Sequence, residues 1–491
     1  MKRLKNFING QWSEPVGAAY IDVENPSTAE IIAQVPLTSK EETNRAIEAA
    51  HRAYLSWKDV PVARRVNYLF KLLALLESEE ENIARILVEE MGKSLPDARA
   101  ELKRIFENVE VACGMPVLQQ GDKLMGCSFD MDGEVIRLPL GVFGMIAPFN
   151  FPAMVPFWFL PYAIATGNCF VVKASKQVPC TMNSIAGLIE KTGLPPGVFT
   201  LINGDKLVAE ALMEHPLIKG ISIVGSTPTC REGAQKCAAA GKRFQGMGGA
   251  KNHLVVMPDA RIGDTIRNMI TSCYGCAGQR CMAASAIVCV GDATYATIVQ
   301  EFVAASKSVI TTNPLDPQVA DESMVMGPVI SAKSKEFILS MIETGIKEGA
   351  ELLLDGRNIT VSGYEKGHFV GATVFGNVRP GMEIHTTEIF GPVVCIMKVG
   401  TLDEAIKIIN EHQYGNGASI YTQNGFYARK FKLETEVGMI GINVGIPAPV
   451  AYLPFGGMKN SQFADIKAQG KAVINFFTED KIVTERYWTE V

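Results

Sequence analysis

The sequence, 491 residues long, contains no long hydrophobic run. Its most apolar stretch, from Phe149 to Ile164, is short and is interrupted by three prolines. A helix that crosses a membrane needs about 20 consecutive apolar residues, so this stretch predicts a buried helix instead. The basic start of the chain has no apolar run behind it, so we expect no signal peptide. We therefore expect no membrane partner.

Long basic runs are also absent. The net charge is −5, from 47 lysines and arginines against 52 aspartates and glutamates. Because nucleic-acid binding usually needs a basic patch, nucleic acid is not an expected partner. The apolar fraction of 47% and the charged fraction of 20% are typical of a globular protein.

The cysteine pattern disfavours a disulfide framework. Eleven cysteines, an odd number, are scattered over the chain. This pattern fits a reducing compartment and predicts a cytoplasmic location. The densest group is Cys273, Cys276 and Cys281. Structural zinc sites have four ligands, and no nearby histidine or cysteine pair completes this group, so we expect no metal.

A chain of this length predicts two or three domains. Ser39 and Glu42 form a capping box before a helix, and residues 64–115 have a helical composition. Asp132-Gly133 predicts the turn of a two-residue β-hairpin. From residue 142 onward, short apolar runs alternate with helical stretches, which favours a doubly wound parallel sheet and then a second α/β domain. The predicted strands are 142–147, 169–173, 199–202, 221–224, 254–257, 286–290 and 393–397.

Two short segments contain residues suited to binding a phosphate or attacking a carbonyl group. Gly225-Ser226 lies between a predicted strand and a helix, where backbone N–H groups can bind a phosphate. An ordinary strand-to-helix turn explains this pair equally well. Cys281 lies between a predicted helix and a strand, where a thiolate can be exposed and stabilised. The alternative for Cys281 is a buried structural cysteine.

Other candidate residues lie at strand ends and turns. Asn150 follows a predicted strand, and its amide can donate to a developing oxyanion or cap the next helix. Lys173 ends a strand at the edge where open α/β sheets bind ligands, or it is a solvated strand end. Glu388 and Phe390 can bind a ribose and a nicotinamide ring, or they belong to an ordinary loop.

Taken together, these segments resemble the aldehyde dehydrogenase superfamily. The resemblance runs nearly end to end, from Phe7-Ile8-Asn9-Gly10 to the C-terminal strand, and the ordered set is far more specific than any one motif. The segments that carry it are Pro148-Phe149-Asn150-Phe151-Pro152, Lys173, Gly225-Ser226, Gly248-Gly249, Gly278-Gln279-Arg280-Cys281, Glu388-Ile389-Phe390-Gly391-Pro392 and Pro454-Phe455-Gly456-Gly457.

The resemblance implies a role for each candidate residue. Cys281 would be the nucleophile, and Asn150 with the backbone N–H of Cys281 would form the oxyanion hole. The cofactor would be NAD, or NADP. The residues implied to bind it are Ala147, Phe149, Lys173, Lys176, Gln177, Gly225, Ser226, Gly248, Glu388 and Phe390.

The resemblance also implies an α/β fold in three parts. These are a Rossmann-like cofactor domain (residues 1–120 and 140–248), an α/β catalytic domain (249–447) and a β-hairpin oligomerisation arm (121–139 and 448–491). Most members of the superfamily are dimers or tetramers, so a homodimer or homotetramer is expected.

One absence concerns the acceptor of the acyl group. Hydrolytic members carry a glutamate that activates water, and the matching stretch here, residues 245–253, contains no carboxylate. Gly249 to His253, with Arg280 before the nucleophile and Met282 after it, resembles the CoA-acylating methylmalonate-semialdehyde dehydrogenase subfamily. That resemblance implies CoA as a co-substrate. It also implies that Arg104 and Arg280 bind a substrate carboxylate, for which an arginine fork is well suited. A solvated helix face is the alternative for Arg104.

The sequence departs from the superfamily pattern in three places. The residue three after Lys173, usually glutamate in NAD-using relatives, is Lys176, a cation that can meet the 2′-phosphate of NADP. The second glycine expected five residues after Gly225 is Cys230, so helix and cofactor can pack differently. Residues 456–460 differ among branches of the subfamily and do not identify the substrate.

The resemblance therefore implies oxidation of malonate or methylmalonate semialdehyde through a thioester on Cys281. Loss of CO2 and transfer to CoA would give acetyl-CoA or propionyl-CoA. One alternative is a hydrolytic NAD(P)-dependent enzyme that releases a free acid. The other is an inactive binding or structural protein, which the joint presence of Cys281, Asn150, Lys173 and Glu388 disfavours.

Overall fold

The computed structural model describes residues 2–319 and 324–488. Within these residues, no helix combines the length and the apolar composition that crossing a membrane requires. Two large sheets form the framework, and helices cover them. The described residues also form two sheets of three strands and two of two strands.

The strands, in chain order, are β1 (Lys2–Arg3), β2 (Asn6–Ile8), β3 (Gln11–Ser13), β4 (Tyr20–Glu24), β5 (Ile31–Pro36), β6 (Lys123–Ser128), β7 (Met131–Pro139), β8 (Val142–Ile146), β9 (Cys169–Lys173), β10 (Phe199–Ile202), β11 (Ile218–Val224), β12 (Arg243–Met247), β13 (Asn252–Val256), β14 (Ala284–Val290), β15 (Ile310–Thr311), β16 (Val325–Met326), β17 (Glu351–Leu354), β18 (Thr373–Gly376), β19 (Val393–Val399), β20 (Tyr414–Gly415), β21 (Gly417–Tyr421), β22 (Met439–Ile442), β23 (Met458–Lys459), β24 (Gln462–Phe463) and β25 (Thr478–Arg486).

The helices are α1 (Lys40–Trp57), α2 (Val62–Ser78), α3 (Glu80–Met91), α4 (Leu95–Cys113), α5 (Met115–Leu118), α6 (Met154–Phe157), α7 (Leu160–Thr166), α8 (Cys180–Lys191), α9 (Lys206–Glu214), α10 (Thr227–Ala239), α11 (Ile262–Tyr274), α12 (Asp292–Lys307), α13 (Ala332–Lys347), α14 (Glu383–Thr386), α15 (Leu402–Glu411), α16 (Gly425–Glu434) and α17 (Gly470–Phe477). A short 3₁₀ helix spans Gly275–Gly278.

The first large sheet has eight strands in the order β24-β12-β11-β8-β9-β10-β2-β3. The middle strands, from β12 to β10, are parallel, and the outer strands pair antiparallel. The order steps away from β8 in both directions, so the doubly wound sheet predicted from the sequence is confirmed. Strand β9 is buried along its whole length, as its continuous apolar run requires. Strands β9 and β10 have the predicted bounds.

The second large sheet has seven strands in the order β17-β18-β19-β14-β13-β21-β22. All of its pairs are parallel except β17 with β18. This sheet confirms the second α/β unit. Cys281 lies just before β14, at the amino end of that strand.

The three-stranded sheet of β25, β7 and β6, called the small sheet below, corrects one prediction. Its order is β25-β7-β6, and β25 pairs antiparallel with β7 from Thr478↔Pro139 to Arg486↔Met131. The hairpin itself is present, but its turn is not at Asp132-Gly133, because both residues lie inside β7. The chain reverses three residues earlier, at Phe129-Asp130, where Asp130 has a left-handed φ of 59°.

The helices predicted from the sequence are present, but their bounds differ from the prediction. Ser39 Oγ accepts a hydrogen bond from the backbone N–H of Glu42 at 3.1 Å, so Ser39 caps α1 as predicted. The helical region predicted at 64–115 is divided into α2, α3 and α4, with α5 beginning at its end, because Gly92 adopts a left-handed φ of 84° and ends α3. The apolar stretch 149–164 is buried, and it forms α6 and most of α7 instead of one helix.

Candidate active site

A cavity of about 310 Å³ lies among helix α4, helix α11 and the segment before strand β14. It brings together Cys281, Arg104 and Arg280, which are far apart in the sequence. The other walls are mostly apolar and include Phe151, Met154, Trp158, Met282, Ile446 and Phe455. The cavity is therefore a largely apolar space whose walls include two guanidinium groups and the thiols of Cys276 and Cys281.

The backbone of Cys281 is fixed by two buried asparagines. Its carbonyl oxygen accepts a hydrogen bond from Asn252 Nδ2 at 2.8 Å and from Asn416 Nδ2 at 2.9 Å. Just before it, Cys276 and Ala277 have left-handed φ angles of 52° and 53°, which cost free energy for residues other than glycine. A backbone held in this way points the thiol into the cavity with little freedom.

The surroundings of Cys281 oppose ionisation of its thiol. Burial, followed by the nearby carboxylate of Glu388, raises the pKa of the Cys281 thiol to about 12. Arg280 and the backbone N–H groups of Cys281 and Met282 act in the opposite direction but less strongly. The surrounding protein therefore favours the neutral thiol in this structure, and the predicted nucleophile must lose its proton before it can attack an aldehyde.

Alkylation of Cys281 by iodoacetamide is expected to accelerate about ten-fold for each pH unit between pH 7 and 10, because only the thiolate reacts. Glu388→Gln should raise the rate above pH 7, since it removes the negative charge that opposes ionisation. Mass spectrometry of the peptide that contains Cys281 measures both rates. The exposed Cys127 gives an internal comparison in the same digest. A rate for Cys281 that reaches its plateau below pH 9 would contradict the neutral thiol.

Asn150 is held close to the nucleophile segment. It follows strand β8, is buried, and donates from Nδ2 to the backbone carbonyl of Gln279 at 2.9 Å. Its side chain therefore bonds the segment before Cys281 instead of capping α6. A side-chain amide has two N–H groups, so one remains for a second acceptor.

A buried ion pair that the sequence did not indicate holds the loop of Asn150. Lys93 Nζ donates to Glu101 Oε2 at 2.5 Å and to the backbone carbonyl of Asn150 at 2.7 Å, and both charged side chains have no exposed surface. The other oxygen of Glu101 accepts from the backbone N–H groups of Ala153 at 3.0 Å and Met154 at 2.9 Å. Together the pair fixes both ends of the segment 150–154.

The sequence shows where Lys93 lies but not which residue it pairs with. Gly92 ends α3 and Ser94 caps α4, so Lys93 lies in the short break between two helices. A lysine in such a break is ordinarily solvated, and nothing local shows that Glu101, two turns along α4, lies beside it.

Both carboxylates that line the cavity already accept hydrogen bonds. Glu101 has three donors, and Asp97 Oδ2 accepts from the backbone N–H of Cys276 at 3.1 Å.

The candidate cofactor residues of the first sheet lie at one edge. Ala147, Lys173, Gly225 and Gly248 each follow or end a parallel strand at its carboxyl end, which is where open α/β sheets bind ligands. Lys173 is buried, donates from Nζ to the Ala174 carbonyl at 2.9 Å, and has its pKa lowered to about 8 by burial. The alternative of a solvated strand end is therefore excluded.

Three candidates beyond the strand ends are exposed. Lys176 and Gln177 lie on the surface just after β9. Ser226 is the N-cap residue of α10, and its hydroxyl lies 2.9 Å from that of Thr229. These side chains are accessible to a ligand at the same edge of the sheet.

Cys230 does not loosen the contact between helix and strand. Its buried thiol lies 3.3 Å from the backbone carbonyl of Met247. The close approach of α10 to β11 occurs one turn later, at Gly233, where an added Cβ would lie 2.7 Å from Ile223 Cδ1. The glycine that permits tight packing of α10 on β11 is therefore Gly233, three residues after the position where the family pattern has it.

Glu388 and Phe390 lie where the two large sheets meet. Glu388 Oε1 accepts from the backbone N–H of Ala250 at 2.9 Å, and burial raises the pKa of this carboxyl to about 7. The rings of Phe149 and Phe390 meet edge to face with centroids 5.7 Å apart, and Phe390 has a left-handed φ of 56°. All three residues are thus brought next to the edge that carries Gly248.

Arg104 and Arg280 reach the cavity but each already has a partner. Arg104 Nη1 lies 2.6 and 2.8 Å from the two carboxylate oxygens of Glu107. Arg280 Nη2 donates to the last carbonyls of helix α11, including that of Ser272 at 3.1 Å. The Nε of Arg280 is buried and has no hydrogen-bond partner among the described residues. An anion in the cavity can satisfy that atom.

Comparison with known proteins covers almost the whole chain. Residues 12–483 match the aldehyde dehydrogenase family. The chain is 43% identical over 484 residues to malonate-semialdehyde dehydrogenase 1 of Geobacillus kaustophilus, covering 99% of this chain and 98% of that relative. The crystal structure of methylmalonate-semialdehyde dehydrogenase from Oceanimonas doudoroffii matches with a TM-score of 0.97 at 39% identity, over 100% of this chain and 99% of the other. A Sinorhizobium meliloti protein assigned as a methylmalonate-semialdehyde dehydrogenase, complexed with NAD, matches with a TM-score of 0.97 at 38% identity, over 100% and 99%.

Proposed function

Because this chain belongs to the aldehyde dehydrogenase family, we propose that it oxidises a small semialdehyde that carries a carboxylate, malonate or methylmalonate semialdehyde. The family resemblance and the α/β fold predicted from the sequence are confirmed. The observation that carries the substrate proposal is the shared cavity, in which the Cys281 thiol and two guanidinium groups meet. An aldehyde attacked by the thiol can present its carboxylate to those cations.

The first half of the proposed reaction uses Cys281 and Asn150. The Cys281 thiol first loses its proton to solvent, and the resulting thiolate attacks the aldehyde carbon, so that the carbonyl oxygen becomes an oxyanion. The free N–H of the Asn150 amide and the backbone N–H of Cys281 stabilise that oxyanion. Bound NAD supplies the acceptor for the hydride that leaves the hemithioacetal carbon, and a thioester on Cys281 remains.

The second half of the reaction transfers the acyl group to CoA. The β-carboxylate of the thioester leaves as CO2. The carbon that carried it, next to the thioester carbonyl, takes up a proton, giving an acetyl or propionyl thioester. The CoA thiolate then attacks the thioester carbonyl, releases the Cys281 thiolate and forms acetyl-CoA or propionyl-CoA. This route is supported by the absence of a carboxylate in residues 245–253 and by the engagement of Glu101 and Asp97 in the cavity.

The alternative is a hydrolytic enzyme that releases a free carboxylic acid. It needs an activated water, and Glu388 is the residue with a suitable pKa, about 7, near the thiol. Turnover of malonate semialdehyde with and without CoA separates the two reactions. Acetyl-CoA formation with strong stimulation by CoA supports the acylating reaction, whereas equal rates with free acid as product would replace it with the hydrolytic one.

The residues at the sheet edge fit a nicotinamide dinucleotide. A buried cation at Lys173 and a buried carboxylate at Glu388 are the kinds of group that bind ribose hydroxyls and phosphates in such sites. We propose that Ala147, Phe149, Gln177, Gly225, Ser226, Gly248 and Phe390 complete the site. NAD is the proposed cofactor, and Lys176 is the residue that permits NADP.

Lys176→Glu is expected to reduce the ratio of NADP to NAD specificity about ten-fold or more, because it removes a charge-assisted contact with a 2′-phosphate. The kcat/KM for each cofactor measures this ratio. Lys191→Glu, which reverses an exposed charge at the end of α8, is the matched control. If the wild-type protein ignores NADP and Lys176→Glu leaves the ratio unchanged, Lys176 does not contact the cofactor.

Arg104→Ala and Arg280→Ala are each expected to lower kcat/KM for malonate semialdehyde about ten- to a hundred-fold, because each loses a charge-assisted contact worth about 1.5–3 kcal/mol. Propanal, which has no carboxylate, should lose much less. Lys103→Ala removes an exposed cation from the same helix as a control. Equal losses for both aldehydes would show that the two arginines do not bind the carboxylate.

We further propose the division of the chain into a cofactor domain (1–120 and 140–248), a catalytic domain (249–447) and an oligomerisation arm (121–139 and 448–491). The sheet of β25, β7 and β6 supports the arm, and within 448–491 strand β24 also extends the first large sheet. The exposed Leu124, Phe129 and Ile482 of the arm favour a homodimer or homotetramer. Eleven free cysteines among the described residues favour a reducing, cytoplasmic location.

A further inference from the structure

The carboxylate of Glu107 occupies one side of the Arg104 guanidinium. The two residues are three positions apart on α4, and both Glu107 oxygens contact the same nitrogen, Nη1, at 2.6 and 2.8 Å. Their side chains are only 33% and 25% exposed, so solvent screens the contact incompletely. Arg104 lines the cavity that holds Cys281. A carboxylate of the protein is therefore in place before any substrate enters.

A guanidinium group has five N–H donors, and this contact leaves Nη2 and Nε for another anion. An entering carboxylate would then lie on the same group as Glu107 and be repelled by it. Three other charged residues line the cavity: Glu101, Asp97 and Arg280. Glu101 is neutralised by Lys93, Asp97 accepts a hydrogen bond from the backbone N–H of Cys276, and Arg280 adds a positive charge. Glu107 is the carboxylate in direct contact with Arg104, so it reduces the attraction that this arginine exerts on an anion.

We propose that Glu107 is a specificity-determining residue that weakens the binding of carboxylate-bearing aldehydes at Arg104. The proposal rests on the function proposed above. It places Glu107 behind Arg104, so that the residue acts through the arginine and not by contact with the aldehyde. Neutral aldehydes, which have no charge for Arg104 to attract, are unaffected by it.

The test compares Glu107→Gln with wild-type protein on malonate semialdehyde and on propanal. Glu107→Gln keeps the shape of the side chain and removes its charge, so KM for the semialdehyde should fall about three- to ten-fold while kcat is unchanged. KM for propanal should stay the same. Glu107→Asp, which restores the charge, should return KM towards the wild-type value, and Glu110→Gln, an exposed residue of the same helix, should change neither constant.

The salt dependence gives a second readout. The KM difference between wild-type protein and Glu107→Gln should shrink as ionic strength rises, because the repulsion is screened. An unchanged or higher KM for the semialdehyde, or an equal fall for propanal, would overturn the proposal. Arg104→Ala, measured in parallel, separates the proposed carboxylate site from the proposed role of Glu107. If Arg104→Ala lowers kcat/KM for the semialdehyde more than for propanal while Glu107→Gln has no effect, only the role of Glu107 fails. If Arg104→Ala is unselective, the carboxylate site itself fails.

Discussion

Cys281→Ala is expected to oxidise malonate semialdehyde about a thousand-fold more slowly than the wild-type protein, or worse, while its affinity for NAD changes little. The reason is that the proposed thioester needs a sulfur nucleophile, and the asparagines that fix residue 281 bind its backbone carbonyl, which alanine retains. Steady-state rates and NAD titration by fluorescence measure the two quantities.

Cys276→Ala is the matched control for this loss. Cys276 lines the same cavity and lies five residues earlier, but its thiol has no proposed role. It should retain most of the activity. Wild-type-like oxidation by Cys281→Ala would remove Cys281 from the reaction, and an equal loss in Cys276→Ala would indicate that the loop, not the Cys281 sulfur, had been damaged.

Lys93→Met is expected to lower the free energy of unfolding by about 3–5 kcal/mol, because it leaves the wholly buried carboxylate of Glu101 without its cation. Chemical denaturation monitored by fluorescence measures the loss. The double variant Lys93→Met/Glu101→Gln should recover part of that stability, since no buried charge remains unpaired.

The same variants test whether the pair positions Asn150. Lys93 Nζ donates to the backbone carbonyl of Asn150, so its removal should lower kcat more than KM for NAD. Lys93→Arg, which keeps a cation, should recover more activity than Lys93→Met. A stability loss below about 1 kcal/mol, or equal effects on kcat and KM for NAD, would contradict this account of the pair.

The elements that the sequence predicted well are those determined locally. Strands β9 and β10 have the predicted bounds, since a fully buried parallel strand needs a continuous apolar run. The prediction of a turn at Asp132-Gly133 was wrong because distant residues determine the structure there. Those residues are paired with Glu485 and Thr484, more than 300 positions away, and that long-range pairing keeps them in a strand.

The candidate site divides in the same way. Cys281, Arg104 and Arg280 were identified from the sequence, and the structure places them around one cavity. The protonation of Cys281 and the pair of Lys93 with Glu101 were not predictable. Both depend on how much water the folded protein excludes and on which side chains it brings together from distant helices.

The small sheet has a consequence for how the chain folds. Strands β6 and β7 are neighbours and can close at once, but one edge of β7 stays open until β25 arrives, and Arg486 contacts Met131 across 355 residues. Contacts between such distant residues form late, because a long loop must first close. Leu124, Met125 and Phe129 are exposed even in the completed sheet. Until β25 pairs with β7, these apolar side chains lie beside an unpaired strand edge, the combination that favours strand addition between chains. The stage of refolding most sensitive to protein concentration is therefore the completion of this sheet.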